Sequence, residues 1–86
     1  MGRTAKIRRQ VLDGGRNVRF DDLVKLAQAF GFDLRRVSGG HHILLHPGAG
    51  RLVNLQPGRD GMAKPCQIRQ FLDIVEECGL SMEDQE

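Results

Sequence analysis

Apolar positions along the chain change their spacing twice, and each change marks a new element. Leu23, Leu26, Ala27 and Phe30 recur at intervals of three and four, the repeat of one buried helix face. Asp21 is placed to cap that helix and Gly31 to end it. The repeat then shortens: Phe32-Asp33-Leu34-Arg35-Arg36-Val37 opens with alternation and reads as a first strand. Ser38-Gly39-Gly40 supplies a turn, the run Ile43-Leu44-Leu45 a second strand, and Pro47-Gly48-Ala49-Gly50 another turn. Arg51-Leu52-Val53-Asn54-Leu55-Gln56 makes a third strand, with Val53 and Leu55 toward the core and Asn54 on the other side. After a glycine-containing loop, Pro65 suits the first position of a final helix. Its apolar stripe is Ile68, Phe71, Leu72, Val75 and Cys78, and Gly79 stops it.

Three successive strands joined by short turns predict an antiparallel meander. The expected fold is α+β, in the order α-β-β-β-α, with both helices on one face of a three-stranded sheet and the other face free. That order is also the order of a double-stranded-RNA-binding domain, an analogy of fold that does not fix function. Ahead of it, Ile7, Val11 and Leu12 give a weak helical pattern ending at Asp13-Gly14-Gly15. The chain therefore divides into a basic extension with a short helix over 1–19, the main domain over 20–80, and an acidic tail over 81–86.

A length of 86 residues suits one small domain, and 40% hydrophobic with 28% charged residues is a soluble globular composition. No apolar run approaches the roughly 18 to 20 residues that span a bilayer, and MGRTAKIRRQ lacks the apolar centre of a signal peptide. A cytoplasmic protein is expected. Cys66 and Cys78 fall on the same predicted helix, about 18 Å apart along its axis, so they do not pair and are expected reduced. Charge is unevenly placed: up to Arg36 the chain is rich in arginine and lysine, whereas from Glu76 onward its charges are all acidic. This asymmetry is compatible with a polyanionic partner and equally with an ordinary solvated surface.

Candidate chemistry concentrates between Ser38 and Pro47, which hold all three histidines of the chain. Histidine is the side chain suited to proton transfer near neutral pH. Gly39 and Gly40 can adopt positive φ and turn their N–H groups toward an anion such as a phosphate, beside the first histidine. Strand geometry sends His41 and His42 to opposite faces, and sets His42 and His46 about 13 Å apart on the same face. That is too far for one metal ion with bonds near 2 Å, so no metal site is expected from this trio. The bland reading, polar histidines on a half-exposed strand, stands beside the catalytic one.

These residues resemble the HicA-type toxins of HicA/HicB toxin–antitoxin systems. The resemblance rests on Phe30-Gly31-Phe32, Arg36, Gly39-Gly40-His41-His42, His46-Pro47, Val53-Asn54-Leu55-Gln56-Pro57, and Lys64-Pro65 through Cys78-Gly79-Leu80. It covers about Val18 to Leu80, and the basic Lys6-Ile7-Arg8-Arg9 extension looks like that of a longer branch. It implies a double-stranded-RNA-binding-like fold, metal-independent endoribonuclease activity on mRNA with no cofactor, and neutralisation by a HicB-type antitoxin covering the histidine. The family's essential histidine maps by the turn onto His41; the pattern of members with asparagine before the histidine maps it onto His42. Family members with an aromatic at the position of Leu44 place it in the core, so the resemblance, taken with strand alternation, sets His42 and His46 inward and favours His41 as the outward residue. The family's turn serine is Gly40 here.

On this reading His41 takes the 2′-hydroxyl proton of RNA, Gly39 and Gly40 offer backbone N–H groups to the phosphate, and Arg36 stabilises developing charge. Lys64 is a further phosphate contact, and Lys64 or Arg51 a candidate for the leaving-group side. The rival readings are a non-catalytic RNA-binding module and a domain that binds only the antitoxin. Against a duplex binder stands the sparse basic set near the last helix, Lys64 and Arg69. Four phenylalanines, most of them on predicted core stripes, and no tyrosine or tryptophan leave little for base stacking.

Overall fold

A computed structural model of the chain describes Arg9, Val11 and residues 18–81. Its elements are α1 (Phe20–Ala29), β1 (Asp33–Ser38), β2 (His41–His46), β3 (Arg51–Leu55) and α2 (Pro65–Cys78). The sheet is an antiparallel meander in the order β1-β2-β3, so the α-β-β-β-α architecture of the double-stranded-RNA-binding type is present as expected. Arg9 and Val11 are helical and Val11 is buried in the core. The rest of the expected N-terminal helix, and the acidic tail beyond Ser81, lie outside the described residues. No helix among the described residues is long and apolar enough to cross a membrane.

Both helices end as their glycines require. Gly31 and Gly79 have φ of 99° and 61°, a backbone region open chiefly to glycine. At α1 the N–H groups of Gly31 and Phe32 bond back to Gln28 and Ala27, and at α2 those of Gly79 and Leu80 bond back to Glu76 and Val75. This is the paired Schellman pattern, which satisfies carbonyls that the helix leaves free.

The helix starts differ from one another. Pro65 occupies the first turn of α2 as expected. Asp21 does not cap α1: the cap position is Arg19, without a side-chain cap bond, and Asp21 sits inside the first turn. The reason is tertiary. The Phe20 N–H donates to the Gly61 carbonyl at 3.1 Å, and Ala63 N–H donates to Val18, so the loop before α2 anchors the start of α1.

Helix and sheet faces meet in one cluster. Leu23, Leu26, Ala27 and Phe30 of α1 and its end join Phe32, Leu44, Val53 and Leu55 of the strand layer and Ile68, Phe71 and Ile74 of α2. Phe71 lies among the aromatics, its ring 5.6 Å from Phe30 and 5.7 Å from Phe32. On α2 the buried line runs through Ile74, while Leu72, Val75 and Cys78 flank it half-buried, a rotation of the expected stripe. Cys66 and Cys78 are both free.

The helix layer covers β2 and β3 and leaves β1 bare. All six residues of β1 are exposed, including Leu34 at 40% and Val37 at 54%. β1 also carries a bulge. Leu34 pairs with Leu44 but Arg36 pairs with Ile43, so Arg35 is an extra residue without a partner on β2.

Candidate functional site

The site is built on the β1–β2 hairpin. Gly39 and Gly40 have φ of 57° and 86°, the two positive values of a type I′ turn, and they join the pair Ser38 and His41. This turn matches the twist of the flanking strands and fixes register, so the histidine faces follow from it. His42, Leu44 and His46 face the helices; His41, Ile43 and Leu45 face away. Leu44 is fully buried, while His41 is exposed.

The three imidazoles have three different settings. His42 is half-buried, its ring edge-on to Phe20 at 4.7 Å, and its Nδ1–H donates to the Gly40 carbonyl at 3.0 Å. It ties the glycine turn to the start of α1. His46 packs edge-on against Phe32 at 5.3 Å, and its Nδ1 accepts from the Ala49 N–H at 3.0 Å, closing the β2–β3 turn. His41 alone stands on the open face, where its ring Nδ1 meets Asn54 Oδ1 at 3.3 Å. Among the described residues no three histidine, cysteine or acidic side chains group as a metal site requires.

Around His41 lies an open groove of about 360 Å³ lined by Arg36, Ser38, His41, Ile43 and Asn54. A space at the small end of ligand pockets, and open, suits one unit of an extended chain better than an enclosed molecule. Arg36 reaches this face because of the bulge. In an unbroken strand Arg36 would share the face of Leu34, toward the helices; the extra Arg35 shifts parity and sets Arg36 beside Ile43 and His41.

The remaining candidates separate from this group. Arg51 pairs with His46 on the helix-facing side and donates to Glu77 of α2 at 2.9 Å. That hydrogen bond holds its guanidinium pKa above the ordinary value, against the opposing effect of desolvation. Arg51 therefore does not join His41. Lys64 does not line the groove; it is the residue before α2. The N-terminus of α2 nonetheless lies at the same end of the sheet. Leu55 pairs with His42, and the next residue, Gln56, donates its N–H to Gln67 Oε1 in the first turn of α2 at 2.8 Å. With no acidic residue in that turn, the positive end of the α2 dipole is left uncompensated by its own side chains.

Asn54 and Ser38 entered the groove without being expected there. Alternation already placed Asn54 opposite Val53 and Leu55; what made it a neighbour of His41 is the β2–β3 register, which pairs Ile43 with Asn54. Two larger hollows run along α2, one of about 470 Å³ and one of about 390 Å³, and neither is lined by a histidine.

Searches among curated proteins and among solved structures return no match. A family model described as "HicA toxin of bacterial toxin-antitoxin" matches residues 20–80, which span α1 through the end of α2 and contain the whole groove. With most of the chain matched and the fold in agreement, the protein belongs to the HicA toxin family, the toxins of bacterial toxin–antitoxin pairs, which implies a cognate antitoxin as its partner.

Proposed function

We propose that the protein is a metal-independent endoribonuclease that cleaves mRNA, with His41 as its general base, and that a HicB-type antitoxin silences it by covering this face. The observation that carries the reading is the isolation of His41. Of the three imidazoles it alone is exposed, in an open groove that Arg36 also lines, while His42 and His46 hold structural contacts.

RNA brings its own nucleophile, the 2′-hydroxyl, so the protein needs to supply a base, an anion site and alignment. Neutral His41 takes the 2′-OH proton; the 2′ oxygen forms a bond to phosphorus as the bond from phosphorus to the 5′ oxygen breaks. The leaving oxygen takes a proton from solvent, and the product is a 2′,3′-cyclic phosphate. Arg36 and the N–H groups of Gly39 and Gly40 receive the phosphoryl oxygens as charge builds, a role supported by Arg36 lining the groove of His41 and by the positive φ of both glycines. Lys64, at the α2 end nearest the turn, contributes to holding the backbone of the RNA.

The test is cleavage of a structured mRNA by the wild type, His41→Gln and His42→Gln in excess EDTA. The reading expects cyclic-phosphate ends from the wild type and His42→Gln and no cleavage by His41→Gln. Intact RNA with the wild type, under conditions where it binds RNA or antitoxin, refutes the nuclease and favours a binding role in which Gly40 replaces the family's serine.

A further inference from the structure

We infer that Asn54 is a positioning residue for His41, setting its tautomer so that Nε2 is the free base. The inference rests on the reading of His41 as the general base, and it concerns which ring nitrogen acts.

Asn54 Oδ1 lies 3.3 Å from His41 Nδ1. A carbonyl oxygen only accepts, so the ring nitrogen facing it must carry the hydrogen. A neutral imidazole holds one proton; with Nδ1 protonated, Nε2 is left with its lone pair. Both side chains project from the open face of adjacent strands, held by the pairs Ser38 with His41 and Ile43 with Asn54. Asn54 thus stands to His41 as an orienting acceptor stands to a general base in hydrolases, with an uncharged amide in place of a carboxylate. The acceptor is a neutral amide, whereas a carboxylate in its place would favour the imidazolium. The charged side chain lining the same groove is Arg36, from β1.

The contrast within the chain supports a specific role. His42 has its Nδ1–H satisfied by the Gly40 carbonyl, and His46 has its Nδ1 occupied by the Ala49 N–H, so backbone groups set both of their tautomers. For His41 the partner is a side chain on another strand, and one that substitution can remove.

The experiment is long-range ¹H–¹⁵N correlation of the histidine rings in wild type, Asn54→Ala and Asn54→Asp, beside single-turnover RNA cleavage as a function of pH. We expect wild-type His41 to show the Nδ1–H tautomer. In Asn54→Ala it should shift toward Nε2–H, with the saturating single-turnover rate constant lower by about tenfold, the effect of one ordinary hydrogen bond, and the half-saturating enzyme concentration little changed. Asn54→Asp should restore the tautomer and move the acid limb of the rate profile to higher pH. The unchanged His42 and His46 signals report that each variant is folded. Wild-type His41 in the Nε2–H form, or an Asn54→Ala spectrum identical to wild type, overturns the inference while leaving the nuclease reading intact. A wild type with the Nδ1–H tautomer and no cleavage refutes the nuclease reading instead.

Discussion

Adjacent histidines with opposite duties should separate cleanly when each is replaced by alanine. His42→Ala removes an edge-on aromatic contact with Phe20 at 4.7 Å and a hydrogen bond to the Gly40 carbonyl at 3.0 Å. The first contributes about 0.5–1.5 kcal/mol beyond area burial and the second about 0.5–1.5 kcal/mol, so the loss is about 1–3 kcal/mol. A domain of this size has about 4–13 kcal/mol in all, so the variant remains folded at ambient temperature. At about 4–8 °C per kcal/mol, a loss of about 2 kcal/mol lowers the melting temperature by about 8–16 °C. His41→Ala removes one exposed contact and should change stability by less than about 0.5 kcal/mol. Cleavage should reverse the order: His42→Ala keeps activity when assayed well below its melting point, and His41→Ala loses about 10²- to 10⁴-fold, the usual contribution of a general base. Thermal unfolding and RNA cleavage on the same preparations decide the matter. If His42→Ala is as stable as wild type, or if His41→Ala loses as much stability as His42→Ala, the assignment of one structural and one chemical histidine is wrong.

Gly40→Ala and Gly40→Ser should each lower stability by about 1–2 kcal/mol, because φ is 86° while a Cβ there meets nothing within 4 Å. Urea unfolding should therefore show a lower midpoint with an unchanged slope. Phe71→Ala empties the centre of the aromatic cluster and should lose about 3–5 kcal/mol, read by the same denaturation curve. Arg36→Ala should weaken RNA binding and reduce the slope of log affinity against log salt by about 1, the signature of one phosphate contact; an unchanged slope would place Arg36 outside the RNA path. Glu77→Gln breaks the ion pair with Arg51 at a site where the two side chains are 39% and 64% exposed, and should leave the melting temperature unchanged.

The elements and their ends were readable from the chain because each depends on near neighbours. Gly31, Pro65 and Gly79 act through backbone φ or a missing N–H, and Val53-Asn54-Leu55 through the two-residue repeat of a strand. That His41 and His42 of β2 lie on opposite faces follows from the same local rule. Tertiary structure decided which parity mattered. Leu34 and Val37 look like core residues, yet they are exposed because the helix layer stops at β2, and layer width is set by how α1 and α2 pack. Asp21 looks like a cap, yet the Gly61 carbonyl takes the helix's first N–H. The bulge at Arg35 arises only where two strands are paired, and it delivers Arg36 to the histidine's face. Asn54 meets His41 by the register between β2 and β3, a relation across 13 residues that no repeat within either strand encodes. Local pattern thus determined which residues could face outward together, and only the pairing of strands and the reach of the helices determined which of them share the groove.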